Sequence, residues 1–394
     1  MELLLYLYIL IVVYLFLKYS RIRTLYIFSP YILIYLNFIF NDAIPFLFFY
    51  PDVPENIQYT TFTAAIINLS FLFLFRKQAQ VPISINLPLS SIKLNKKRKI
   101  LLSCFVFFLL WAGVMSGVLI NLLRGNNIED LRRTSEIGVG VIRDIPMLGI
   151  QIIMLVLQKT WKCYYKVVAF YSFCLSVFLF LTTGNKGGVL VGVTLFLLFF
   201  HLKKRGFKWY EYVLYYLTMP LAAGTLQGIR GGDLTLIASQ IAVFFSYPVI
   251  LYQANSIPIM NAVGTENFFW GEEYYTGLVK FIPRFLWPDK PLSFDYKLKE
   301  LANYDFEGGG IYTTLCNDLY INFGYYYFIF YILWLLFIHY LYGMVMDDKR
   351  FYYSRIIALF IILMGGIAST IGSCEILLLF LLFLILYYSR VKTL

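Results

Sequence analysis

Long, unbroken apolar runs constrain this chain more than any other feature. They fall at approximately 3–17, 25–43, 59–75, 100–123, 145–158, 163–183, 187–202, 209–229, 234–252, 318–343, 353–372 and 374–389. About 20 helical residues cross the roughly 30 Å of hydrocarbon in a bilayer. There every backbone N–H and C=O must be satisfied internally, which leaves helices and closed barrels. The runs are continuously apolar and lack the alternation of barrel strands. Charged residues make up 14% of the chain and hydrophobic ones 60%, against about 25% charged in soluble domains. That balance excludes a soluble enzyme, a disordered chain and a fibrous protein. The expectation is an all-α polytopic membrane protein. The apolar start, Met1 to Leu17, lacks a basic leader and a small-residue cleavage site, so it reads as a first span.

The few charges are unevenly placed. Segments 18–24, 76–99, 158–166, 202–211, 347–355 and 390–394 hold 22 of the 33 Lys and Arg but three acids, Glu211, Asp347 and Asp348, a net charge of +19. The remaining 11 basic and 19 acidic residues give −8. Basic loops stay in the cytoplasm, so the net +11 is a topological signal. It is not a nucleic-acid footprint, because no face joins basic clustering to a nucleic-acid motif. If all twelve runs crossed, the acid-rich segment 253–317 and the basic tail could not both satisfy this rule. The run 234–252, with Ser239, Gln240, Ser246 and Pro248, is the least apolar. It reads as an interfacial or re-entrant helix. The count becomes about 11 spans, with a 12-span version open. The chain divides into N-terminal spans (1–229), an external loop or cap (230–317) and C-terminal spans (318–394).

The external region spans nearly ninety residues and carries the densest polar chemistry. Its Trp270, Trp287, Phe268, Phe269, Tyr274, Tyr275 and prolines give it an ordered composition. Aromatics there either anchor at the membrane interface or stack on sugar rings. Three cations lie on this side, each beside Gly or Pro: Lys186 in Thr183-Gly184-Asn185-Lys186-Gly187-Gly188, Arg230 in Gly228-Ile229-Arg230-Gly231-Gly232, and Arg284 in Phe281-Ile282-Pro283-Arg284-Phe285-Leu286-Trp287-Pro288-Asp289-Lys290-Pro291. Snorkelling or a local ion pair accounts for each alone. Together they suit an anionic ligand, since a rigid guanidinium grips phosphate oxygens with two parallel hydrogen bonds. Asp318 opens the late run, in Thr313-Thr314-Leu315-Cys316-Asn317-Asp318-Leu319-Tyr320-Ile321-Asn322-Phe323-Gly324. It either serves the helix start or acts as a base facing the same cavity. Glu272 and Glu273 are further acids of the region.

Other chemistries lack their residues. Cys104, Cys163, Cys174, Cys316 and Cys374 form no C-x-x-C pair and read as packing residues, without a disulfide framework or metal site. His201 adjoins the cytoplasmic Lys203-Lys204-Arg205, and His339 lies near the inner end of its run. No metalloprotease, P-loop, nucleophile-elbow or dinucleotide fingerprint occurs, so no metal or cofactor is expected.

The order of these strings is many spans, T-T-G-N-K-G-G, G-I-R-G-G, F-I-P-R-F-L-W-P-D-K-P, then G-G-G-I-Y-T-T-x4-D-x-Y-x-N-F-G entering a late span. It resembles the bacterial O-antigen polymerases of the Wzy type, over residues 180–345 by motif and the whole chain by topology. The resemblance implies a GT-C-like inner-membrane glycosyltransferase. Such an enzyme moves a growing glycan from undecaprenyl diphosphate onto a new undecaprenyl-diphosphate-linked repeat unit at the periplasmic face. It implies diphosphate contacts at Arg230, Arg284, Lys186 and Lys290, and acceptor or sugar contacts at Thr313, Thr314, Trp287 and Tyr274. Asp318, Glu272 and Glu273 become the candidate catalytic carboxylates. Membrane lipid and a chain-length regulator of the same pathway are the expected partners. Related O-antigen ligases often carry a histidine where Thr313-Thr314 stand here. A ligase and a lipid-linked oligosaccharide flippase are the competing readings, although a flippase should line its spans with charge.

The charge partition makes a direct prediction. A cysteine introduced near Lys297 should react with an impermeant thiol reagent in intact spheroplasts, whereas one near Lys96 should react only after permeabilisation. The reverse pattern would overturn the orientation.

Overall fold

A computed structural model describes residues 2–21, 30–79, 248–279, 294–304 and 313–347, with positions 225, 246, 282 and 286–291. The chain divides into two units, and every described residue except Thr225 belongs to the first, 1–83 with 246–347 and 359–376. Apart from Thr225, the runs expected between 100 and 229 and beyond 353 lie outside the described residues, as do Lys186, Arg230 and Arg284.

The described residues form helices and no strands. In chain order the α-helices are α1 (Glu2–Arg21), α2 (Pro30–Phe38), α3 (Ile44–Phe49), α4 (Glu55–Ala79), α5 (Ile257–Val263), α6 (Glu272–Val279), α7 (Phe294–Leu301), α8 (Leu315–Phe323) and α9 (Tyr327–Asp347). Two stretches among them are long and apolar enough to cross a membrane: Glu55–Phe75 in α4, and Leu315–Leu341 through α8 and α9. The first is the run read at 59–75. The second begins three residues before the expected start at 318 and is not one helix.

Its interruption has a definite cause. Gly324 adopts φ 57° and ψ −138°, a conformation that residues with a side chain rarely enter. The helix therefore ends, and a short 3-10 turn, Gly324–Tyr326, leads into α9. A helix end leaves backbone carbonyls without partners. One is claimed from outside: Phe269 N–H donates to Ile321 O at 3.1 Å. The adjoining Phe268 ring lies against Gly324 so closely that a Cβ there would sit 2.5 Å from it. The segment leading into α6 is thereby fastened to the junction of α8 and α9.

α4 is joined to this junction by polar rungs. Thr60 Oγ1 donates to Asn317 Oδ1 at 3.0 Å, Tyr327 Oη to Thr60 O at 2.7 Å, and Tyr331 Oη to Asn68 Oδ1 at 2.9 Å. Asn56, one turn earlier, donates to Met260 O at 2.6 Å and Gly264 O at 3.2 Å, satisfying carbonyls where α5 ends. Helices surrounded by lipid gain little from apolar contact with each other, so such bonds carry much of the specificity of pairing.

Two π-bulges occur among the described residues, Ile39–Ala43 between α2 and α3 and Tyr252–Ser256 before α5. Each precedes a proline in the first turn of the next helix, Pro45 and Pro258. Proline lacks an N–H and its ring crowds the carbonyl four residues back, so a widened turn relieves the clash.

Gly324→Ala tests the junction. It should lower the midpoint of thermal unfolding in detergent by the equivalent of about 1–3 kcal/mol for the backbone alone, and further for the Phe268 contact. An unchanged midpoint would mean that the turn accommodates a side chain.

Candidate functional site

The candidate site forms where α6, α7 and α8 meet. Thr314 begins it. Its backbone is extended (φ −76°, ψ 159°), and its Oγ1 accepts the Asn317 N–H at 3.4 Å. Thr314 is thus the N-cap of α8, satisfying one of the helix's unpaired first amides. Thr313 precedes it in extended chain. Asp318, one turn further on, donates its N–H to Thr314 O at 2.8 Å. The N-cap is therefore Thr314, and Asp318 is the acidic residue of the first turn of α8.

Asn322 lies one further turn along α8, at the i+4 spacing that puts it over Asp318. It is fully buried. Its Nδ2 donates to Asp318 O at 3.0 Å and to Glu273 Oε2 at 2.7 Å. A carboxylate can only accept here, so the Asn322 amide presents its nitrogen. This bond brings Glu273 of α6 to the Asp318 face of α8 across 49 residues of sequence. The neighbouring Glu272 makes an ion pair with Lys297 of α7. Both acids occupy the first turn of α6, where the positive end of the helix dipole favours them.

Tyr274 stands between the two carboxylates electrostatically. Burial raises its hydroxyl well above the usual tyrosine range, and the charges of Asp318 and Glu273 raise it further. It remains a neutral donor throughout the physiological pH range. Its hydroxyl is buried without a hydrogen-bond partner among the described residues. Its ring stacks on Phe323 at 5.7 Å and 17°.

Phe323 also lines an aromatic cleft of about 380 Å³ shared with Tyr59, Phe268, Trp270, Tyr325 and Tyr326. Trp270 is 66% exposed there, and its φ of 51° is uncommon for a bulky residue. Gly271 follows at φ 86°, so the chain turns sharply into α6. The aromatic cleft and the carboxylate cluster therefore share a wall.

Of the residues singled out from sequence, the fold collects Glu273, Tyr274 and Asp318, with Glu272 and Thr314 adjacent. Trp287 and Lys290 belong to a separate turn, where Lys290 N–H donates to Trp287 O at 3.2 Å and Lys290 Nζ to Ile282 O at 2.9 Å. No group of three metal-ligating side chains occurs among the described residues. Cys316 is a buried free thiol of α8, consistent with packing. Asn322 and Lys297 were not singled out in sequence. The i+4 relation to Asp318 pointed to Asn322, whereas Lys297 lies 25 residues from Glu272 without a local signal.

The arrangement offers two carboxylates, a neutral phenol and an amide that fixes one carboxylate, beside aromatic faces. It can orient a hydroxyl, take its proton and stack a ring. No family model, no curated protein and no solved structure matches the chain.

Asn322→Ala should strip Glu273 of its amide partner and cost about 1–3 kcal/mol. Asn322→Asp should cost more, since it opposes two carboxylates. Limited proteolysis of the detergent-purified protein should show cleavage within 265–279 in both variants before any within α4. A wild-type cleavage pattern would show that this bond does not hold α6.

Proposed function

We propose that the protein is an O-antigen polymerase of the bacterial inner membrane, transferring a growing glycan from undecaprenyl diphosphate to a new lipid-linked repeat unit on the periplasmic face. One observation carries the reading. Within the D-x-Y-x-N run that underlies the family resemblance, Asp318 and Asn322 share a helix face, and Asn322 holds Glu273 beside it. The proximity of two carboxylates, Asp318 and Glu273, supports a site for hydroxyl transfer.

The reaction has simple requirements. An acceptor sugar hydroxyl attacks the anomeric carbon of the growing glycan. Its C–O bond to undecaprenyl diphosphate breaks, and the electron pair leaves with the diphosphate. The hydroxyl proton passes to a carboxylate, for which Asp318 is the first candidate and Glu273 the second. General-base assistance contributes typically about 10²–10⁴-fold. A held diphosphate needs no general acid. Arg230, Arg284, Lys186 and Lys290 are the proposed phosphate contacts, the first three lying outside the described residues. Tyr274 serves as a hydroxyl donor to the acceptor, Thr313 lines its approach, and the cleft beside Phe323 receives sugar rings. Trp287 remains a sugar or interface residue of the 286–291 turn.

Gene deletion tests the class of activity. Lipopolysaccharide gels should show core bearing one repeat unit. Bare core, without the single-repeat band, would instead point to a ligase or a flippase. Within the site, Asp318→Asn should remove the polymer ladder while the protein stays at its normal level in the membrane. Since Thr314 caps α8, a full ladder from Asp318→Asn would remove the carboxylate from the chemistry. Arg284→Ala should likewise lose polymer, and Arg284→Lys should restore only part, because a point charge lacks the planar fork.

A further inference from the structure

Trp270 has no role in the chemistry set out above, yet its setting is costly. It is a bulky residue with φ 51° and is 66% exposed. Side chains seldom enter that backbone region, and strain of this kind recurs at ligand clamps and active sites. Anchoring at a membrane interface accounts for an exposed indole. It does not account for the backbone, since an ordinary helical position near the lipid headgroups would serve as well.

The turn is fixed on both sides. Phe269 N–H is bonded to Ile321 O, and Glu272 N–H donates to Phe269 O at 3.0 Å, closing the chain around Trp270 and Gly271. Gly271 lets this turn lie against the site. A Cβ there would meet the Phe323 ring at 3.6 Å and the Tyr274 ring at 3.7 Å. The Trp270 and Tyr325 rings each meet Phe268 at nearly a right angle, 90° and 79°, with centroids 6.2 and 6.5 Å away. With Phe323 and Tyr326 they converge on one concave space of about 380 Å³, whereas interface anchors turn outward to lipid. Small-molecule sites are concave and mostly apolar, with a few polar groups that fix orientation. Here those groups stand behind one wall. Phe323 stacks on Tyr274, and Asn322, the residue before it, holds Glu273.

A pyranose ring suits such a space. Its C–H face lies flat on an aromatic ring, and its rim of hydroxyls reaches towards the polar wall. A hydrocarbon chain has no hydroxyl to offer there. The proton to be removed belongs to the acceptor hydroxyl, so the ring beside the carboxylates is the acceptor's. Resting on the polymerase reading above, we infer that the cleft is the acceptor subsite and Trp270 its stacking platform. The terminal, non-reducing sugar of the incoming repeat unit lies against the indole, with its attacking hydroxyl turned towards Asp318 and Glu273.

Two variants separate the ring from the backbone. Trp270→Asn removes the indole but keeps a residue that enters this conformation more readily; Trp270→Phe keeps an aromatic face. The probe is the oligosaccharide released by mild acid from the lipid-linked repeat unit of deletion cells. Saturation-transfer NMR on the detergent-purified full-length protein should show the strongest transfer at the non-reducing sugar. Trp270→Asn should lose that transfer, and Trp270→Phe should keep part of it. In polymerisation with lipid-linked polymer as donor, Trp270→Asn should raise KM for the single repeat unit by about tenfold, the scale of one lost aromatic contact, with kcat within about twofold. Transfer absent from the wild type, transfer led by the reducing-end sugar, or transfer and KM that Trp270→Asn leaves unchanged would overturn the inference, while polymer formed by the wild type would keep the polymerase reading. If transfer depends on Trp270 but the wild type forms no polymer, the sugar cleft stands and the polymerase reading falls.

Discussion

The Phe269 amide reaches a carbonyl that α8 leaves behind where it stops, and the site depends on that bond. A continuous helix would bury the Ile321 carbonyl within its own ladder and offer nothing to the segment outside. Because Gly324 ends the ladder, Ile321 O is available, Phe269 N–H takes it at 3.1 Å, and Phe268 settles into the space that a side chain would fill. The next residues turn through Trp270 and Gly271 into α6, whose first turn carries Glu272 and Glu273. The acids thus reach the Asp318 face of α8 because a nearby backbone group needed a partner. Side-chain bonds then refine a placement that the main chain has already made.

α8 is consequently held at both ends by different chemistry. At its head are the Thr314 cap and the Asn317 contact to Thr60. At its tail are the glycine turn and the Phe269 bond. A nine-residue helix gains little from its own hydrogen-bond ladder in isolation. Fastened at both ends, it can carry Asp318 and Asn322 at fixed positions. The aromatic contacts extend this order outward: Phe323 stacks on Tyr274 on one side and on Phe330 of α9 on the other.

Much of this frame was legible in the sequence, because length and apolarity act locally. The runs at 3–17 and 59–75 correspond to α1 and α4, and the polar density after residue 253 marked the segment holding Glu272, Glu273 and Tyr274. The break at Gly324 was not read, since a glycine within an apolar run permits a stop without requiring one. Asn322 was passed over because amides inside apolar runs carry no charge signal, although its spacing from Asp318 was visible. The Glu272–Lys297 pair depends on a contact between segments distant in the chain. Asp42 closed an apolar run and was absorbed into it; an ionisable residue in that setting is itself a signal. The roles proposed for these residues rest on the resemblance to O-antigen polymerases, while the described residues supply the proximity of Asp318, Glu273 and Tyr274.

The two π-bulges bear on how this sequence can change. A bulge is one residue more than the α-helical ladder requires, so removing a single residue from Ile39–Ala43 would let α2 and α3 close into a regular helix. A bulge takes up its extra residue locally, so the helices on either side would keep their facing. What the deletion removes is the widened turn itself, with the buried Ile39, Asp42 and Ala43 it carries and the room it leaves for the ring of Pro45. Single-residue deletions in membrane helices are often absorbed by sliding or tilting. Here a proline follows each bulge, at Pro45 and Pro258, and ties the irregularity to its place. The register of these helices is therefore inherited with their irregularity, and homologous chains should conserve residue spacing here more strictly than residue identity.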